Sequence, residues 1–141
     1  MPGLAHDTNE TKLRKFLKKI VPNYNDSKHK IYGRWSDSIS ETINTINLNG
    51  SIPDMMFLSE TSKIAYLGEA KQRGNYTKDL SKFNLEAKEQ LTNYISWLAK
   101  KNYNTTLIIY SVPIFCVSQT RNEIRRMNKT FNVNFDFKVI Y

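Results

Sequence analysis

Apolar positions along the chain follow two rhythms, one of period near four and one of period two, and these divide it into helices and strands. Leu13, Phe16, Leu17 and Ile20 recur at the spacing of a helix face, predicting a helix over about residues 9–20. Asp7 or Thr8 is placed to cap it, Pro22 to end it, and Lys12, Lys15, Lys18 and Lys19 make its other face cationic. KIYGRW at 30–35 reads as a strand, and the Thr/Ile-rich run at 42–48, ending at Asn49-Gly50, reads as a strand in preference to a short capped helix. PDMMFLS at 53–59 and KIAYLGEAK at 63–71 flank a Ser-Glu-Thr-Ser turn, the pattern of an antiparallel hairpin. Leu91, Tyr94, Ile95 and Leu98 return to the helical period inside a helix expected over 80–101, with Asn102 to Asn104 breaking it. TTLIIYSVP at 105–113 is a nearly unbroken apolar run, as expected of a strand covered on both faces. A helix at 118–130 and a closing strand, NFDFKVIY, complete the chain.

Helices interspersed with strands in this way predict an α/β protein with one mixed sheet flanked by helices. The 141 residues suit a single domain, 1–141, large enough for one hydrophobic core. With 40% hydrophobic and 24% charged residues the composition is globular, neither disordered nor collagen-like. The longest apolar stretch, LIIYSVPIFCV at 107–117, falls far short of the roughly 20 residues of a membrane-spanning helix. MPGLAHDTNE lacks the basic and apolar regions of a secretory leader. One cysteine, Cys116, allows neither an intramolecular disulfide nor a thiol-based zinc site, so a reducing cytoplasm is the expected location. Twenty-one basic against 13 acidic side chains give a net charge of +8, which points to a polyanionic partner, foremost nucleic acid.

The hairpin carries the candidate chemistry. Period-two alternation puts Glu69 and Lys71 on one face of their strand, and Asp54, opening the preceding strand, comes near Glu69 across the pair. Two carboxylates at one strand end repel one another and call for a cation. Hard oxygen donors, with the Ala70 carbonyl as a further ligand, suit Mg²⁺ or Mn²⁺. Such a metal can activate water and neutralise charge on a phosphodiester, and the Lys71 ammonium can orient that water or stabilise the transition state. A Glu-X-Lys triplet alone is commonly a solvated salt bridge; its place at the end of an apolar hairpin, opposite an aspartate, is what gives it weight.

Pro53-Asp54, fourteen intervening residues, then Glu69-Ala70-Lys71 resembles the PD-(D/E)XK nucleases, which include type II restriction enzymes, Holliday-junction resolvases and VRR-NUC domains. The resemblance covers most of the chain, since that fold's core runs helix, three strands, helix, strand. It implies a restriction-endonuclease-like mixed sheet in the order α-β-β-β-α-β-α-β and a Mg²⁺-dependent DNA endonuclease acting on duplex or branched DNA. It also implies that Gln90, on the following helix, positions water or phosphate, and that the first helix contributes an accessory acid. Glu10 is preferred for that role, in register with Leu13 and Leu17, although Asp7-X-X-Glu10 is also a capping-box spacing; Glu41 is the competitor. Gly68 is expected to keep the approach of backbone or ligand clear.

Arg121, Arg125, Arg126 and Lys129 share one side of the penultimate helix, a candidate phosphate-contact surface or simply a solvated face. Arg73, Tyr76 and Lys78 follow Lys71 in a polar loop that can approach the substrate backbone, while Phe115, Phe131 and Phe135 read as core. His6 and His29 are too isolated for a histidine-metal nuclease and are expected at the surface. No Walker loop or serine-hydrolase elbow occurs, and the IYG and YLG triplets lie too far apart for the paired strands of GIY-YIG nucleases. The rival reading is a catalytically inactive nuclease-fold protein that binds nucleic acid or acts as a regulator. An RNA substrate is a third reading, and two-strand cleavage would call for a homodimer.

Overall fold

The computed structural model describes residues 4–38, 42–131 and 135–141, with side chains from residue 8 onward. Helix α1 spans Leu4–Ile20, longer at its start than the capping pattern predicts, because Leu4 and Ala5, both favourable helix formers, extend it upstream. Asp7 and Thr8 therefore lie inside the helix rather than at its cap. Strands β1 (Lys30–Gly33), β2 (Met55–Ser59) and β3 (Ile64–Ala70) follow, then helix α2 (Leu85–Lys100), strand β4 (Thr105–Ser111), helix α3 (Val117–Asn128) and strand β5 (Asp136–Ile140). The element order is thus helix, three strands, helix, strand, helix, strand.

All five strands join one sheet in the spatial order β1-β2-β3-β4-β5, antiparallel from β1 to β3 and parallel from β3 to β5. The parallel pairs are connected through α2 and α3, as parallel pairing requires. Leu13 and Leu17 of α1 pack on one face with Trp35, Met55, Phe57 and Ile109. Leu91 and Tyr94 of α2 and Ile124 of α3 cover the other, over Met56, Leu67, Ile108 and Tyr110. The central strands are therefore sandwiched, which is why β4 reads as a continuous apolar run. Gly68 keeps α1 close: a Cβ there would stand 2.8 Å from Leu13 Cδ1 and 2.9 Å from Leu17 Cδ1, so the approach it permits is the helix's and not a ligand's.

Two expected elements differ. Residues 42–47 form no strand; Ile43 is exposed, and the segment only touches the sheet where the Gly33 N–H donates to the Asn44 carbonyl at 2.7 Å. Too few of its side chains meet apolar surface to hold a strand in register, and the run ends in a turn that bridges Leu48 to Ser51. Helix α2 begins at Leu85, not near 80, because Asp79 accepts hydrogen bonds from Ser81 and Thr77 in a local turn. Asn84 then caps the helix, its Oδ1 accepting the Ala87 N–H at 2.9 Å. Among the described residues no helix is long and apolar enough to cross a membrane.

Candidate active site

The β2–β3 hairpin places its acids by register. Met55 pairs with Gly68, so Asp54, one residue earlier, comes opposite Glu69. On the outer side Gly33 pairs with Met55 at φ +84, and a Cβ at Gly33 would fall 2.0 Å from the Asp54 carbonyl oxygen. Only a glycine lets β1 pass that close to Asp54. The Asp54 side chain is then fixed by the Ala70 N–H, which donates to Oδ2 at 2.7 Å.

Glu69 and Lys71 are 3% and 2% exposed, and the Lys71 Nζ lies 3.4 Å from Glu69 Oε2. A buried ion pair is tolerable only when its remaining lone pairs and protons find partners, and α2 supplies them. The Tyr94 hydroxyl donates to Glu69 Oε1, and the Lys71 ammonium donates to Gln90 Oε1. Gln90 and Tyr94 are one helical turn apart, so a single face of α2 holds both catalytic candidates of β3. From the opposite side of the sheet Asn9 of α1, itself buried, donates through Nδ2 to the Lys71 carbonyl at 2.7 Å. The Lys71 N–H donates to the Ser111 carbonyl at 2.9 Å, extending the β3–β4 ladder into the site.

Charge crowding is strong here. Burial, and next the Glu69 carboxylate, push the Asp54 carboxyl up to about 8, against the opposing pull of the Ala70 N–H. Near neutral pH the Asp54 carboxyl therefore keeps its proton in the metal-free protein, hydrogen-bonded to Glu69. Burial and the same Glu69 charge push the Tyr94 and Tyr110 phenols up as well, so Tyr94 stays a hydrogen-bond donor.

Two acids brought together at one strand end, one of them with its carboxyl pushed up by burial and by the other's charge, are a donor set for a hard cation. Next to them, β4 contributes a buried hydroxyl without a hydrogen-bond partner, Tyr110 OH, at the position paired with Glu69. An orphaned polar atom beside a carboxylate pair fits a site completed by an ion and its waters. Among the described residues there is no group of three or more His, Cys, Asp and Glu side chains of the kind that makes a fully protein-ligated metal site. Two carboxylates with backbone oxygen suit Mg²⁺, which retains several waters.

The structure brings Asp54, Glu69, Ala70, Lys71 and Gln90 together and adds Asn9 and Tyr94. Asn9 carried a signal, since it stands four and eight residues before Leu13 and Leu17; Tyr94 carried one in its phenol, which needs a partner when buried in an apolar stripe. Glu10 is half-buried on the wall of a cavity of about 340 Å³ with Thr11, Arg14 and Arg34. Glu41 lies outside the described residues, as does the side chain of His6. Arg73 and Lys78 are exposed, but Tyr76 is buried, its hydroxyl hydrogen-bonded to Thr120 Oγ1 at 2.6 Å, and so does not face a substrate. Arg121, Arg125, Arg126 and Lys129 are all exposed while Ile124 and Met127 of the same helix face the core. Arg126 is paired with Glu123 at 2.6 Å, and the Arg125 guanidinium lies 5.9 Å from the Phe137 ring centroid. Phe135 is buried and Phe131 half-buried, but Phe115 is 52% exposed, because the turn after Pro113 buries Cys116 in its place. His29 is half-buried against Phe57, ring centroids 4.8 Å apart, rather than at the surface. Comparison with protein-family models, with curated proteins and with solved structures found no match.

Proposed function

We propose that this chain is a Mg²⁺- or Mn²⁺-dependent deoxyribonuclease with a restriction-endonuclease-like fold, hydrolysing phosphodiester bonds of duplex or branched DNA. The observation that carries the reading is the closed set Asp54, Glu69, Lys71 and Gln90 at the shared end of β2 and β3. The order helix, three strands, helix, strand agrees with the resemblance to PD-(D/E)XK nucleases. A net charge of +8 supports a polyanionic substrate.

In this reading Asp54, Glu69 and the Ala70 carbonyl would hold the metal; Glu10 lines the cavity with Thr11, Arg14 and Arg34 instead, and Asn9 is the α1 residue that reaches the site. When bound, the metal supplies charge neutralisation at the phosphate and a water of lowered pKa. Lys71 places its ammonium where charge develops as the water oxygen bonds to phosphorus and the ester P–O bond breaks, the leaving oxygen taking up a proton. Gln90 accepts from Lys71 and thereby aims that ammonium; Tyr94 aims the Glu69 carboxylate. Arg73, Lys78 and the α3 cations Arg121, Arg125, Arg126 and Lys129 contact the DNA backbone. The reading extends to a cytoplasmic protein that pairs as a homodimer where both strands are cut. A binding or regulatory protein without catalysis is the poorer reading, because carboxylates forced together beside a polyanion weaken both folding and binding unless a cation joins them.

The test is cleavage of linear duplex, single-stranded, nicked and four-way-junction DNA with Mg²⁺, Mn²⁺ or EDTA. Metal-dependent cleavage of at least one substrate is expected. Equal cleavage in EDTA, or none with either metal, would overturn the assignment.

A further inference from the structure

Lys71 leads within two residues into a 3-10 turn, Arg73–Asn75, whose flanks are unusually apolar. On one side the N-terminus of α2 is tied to the turn: Asn84 Nδ2 donates to the Gly74 carbonyl at 2.9 Å and the Asn84 N–H to the Asn75 carbonyl at 2.9 Å. That anchor leaves the next residue, Leu85, 72% exposed. On the other side β4 runs through Val112 and Pro113 into the turn Ile114–Cys116. Cys116 is buried, while Ile114 is 70% and Phe115 52% exposed. The Arg73 guanidinium lies 5.5 Å from the Phe115 ring centroid. Gly74 has nothing within 4 Å of where a Cβ would be, so the turn itself is open.

Single exposed apolar residues are ordinary; two adjacent ones beside an arginine, with a third across the same turn, are not. Burying a side chain such as Phe or Ile is worth about 1.5–3 kcal/mol each, and the fold leaves that unused at the rim of its buried carboxylates. A flat, half-exposed apolar ring with a guanidinium over one face matches one partner best: a nucleobase on the ring's other face and the adjoining phosphate for the cation. In an intact duplex the base faces are already stacked, so the match is to a base that is unpaired.

We propose that Phe115 and Ile114, with Arg73, form a stacking platform for an unpaired base of a nucleic-acid strand entering the site. This rests on the reading of the carboxylate cluster as a nucleic-acid site and specifies its substrate: single-stranded, gapped or branched DNA ahead of continuous duplex. The occupant follows from the Arg73 guanidinium at the Phe115 ring and from the patch's continuity with Lys71 through Arg73. An apolar wedge at a strand end is also how proteins hold open a distorted duplex.

The test compares the full chain with Phe115→Ala and Phe115→Trp in EDTA, measuring anisotropy of a labelled single-stranded oligonucleotide and of a blunt-ended two-strand duplex containing it. Phe115→Ala is expected to weaken single-strand binding by roughly 5- to 150-fold, the range for loss of one base–aromatic stack, with duplex binding unchanged. Phe115→Trp should restore it, and 2-aminopurine in the single strand should report the stacked base only with an aromatic at 115. Equal weakening for both substrates, or none, overturns the platform. So does a concentration-dependent dimer in sedimentation that Phe115→Ala abolishes, which would make the patch a contact between copies. Cleavage that persists while Phe115→Ala is silent refutes the platform alone; a Phe115-dependent single-strand preference without any cleavage refutes the nuclease alone; absence of binding to either DNA refutes both.

Discussion

Replacing Asp54 with asparagine should make the metal-free protein more stable while removing its response to metal. The folded protein holds the Asp54 carboxyl up to about 8, through burial and the Glu69 charge. An aspartate in the unfolded chain titrates near 3.9. The folded state therefore binds more protons than the unfolded state between those values, and stability falls as pH rises through that window. The loss runs at about 1.4 kcal/mol per pH unit, reaching on the order of 5 kcal/mol by about pH 8, and levels off above it. Asparagine keeps an oxygen for the Ala70 N–H and offers Glu69 an N–H in place of the Asp54 carboxyl proton, without a titrating charge. Urea unfolding in EDTA across this range should show no advantage for Asp54→Asn near pH 4 and a growing one towards pH 8. Added Mg²⁺ should then stabilise the wild type by about 2.7 kcal/mol at one hundred times the dissociation constant and leave Asp54→Asn unmoved. Parallel pH curves for the two proteins, or a wild type that is the more stable in EDTA at pH 8, would refute the crowding argument.

Other consequences are as direct. Gly68→Ala drives a methyl into Leu13 and Leu17 and should destabilise by about 1–3 kcal/mol, read by thermal or urea unfolding. Tyr94→Phe removes the hydroxyl that donates to Glu69 Oε1 and leaves a buried carboxylate oxygen short of a partner, a loss of about 1–3 kcal/mol in stability by the same measurement. Replacing Arg125 and Arg126 with glutamine should flatten the plot of log affinity for duplex DNA against log salt by about 0.9 per lost phosphate contact. An unchanged slope would make α3 a solvated face.

How much of this was legible in the sequence varies with the physics behind each residue. Hairpin periodicity and the positions of Asp54, Glu69 and Lys71 follow from a local rule, the alternation of side chains along a strand, so their convergence could be read directly. Gln90 was found through resemblance, not spacing, because contact between α2 and β3 depends on how a helix packs across a sheet. Tyr94 was read as core, which its burial supports, but its hydroxyl could be placed against Glu69 only once the register of α2 was known. Asn9 and Glu10 both lie near the Leu13–Leu17 face, and a one-residue rotation decides which of them reaches β3. The 42–48 segment has strand composition without a partner to pair with, and residues 80–84 have helical neighbours but a turn of their own held by Asp79. Phe115 looked like core because hydrophobicity was its only signal; the tight turn after Pro113 decides which residue faces in.

The most direct test of the account is the cleavage rate of Lys71→Met against wild type under single-turnover conditions with saturating Mg²⁺, on whichever DNA the wild type cuts best. Methionine approximates the buried stem of Lys71 without the ammonium, and both carboxylates remain. Mg²⁺ should still raise the melting temperature of Lys71→Met while cleavage falls by about 10²- to 10⁴-fold. Undiminished cleavage by a folded Lys71→Met protein would contradict the assignment of chemistry to this cluster.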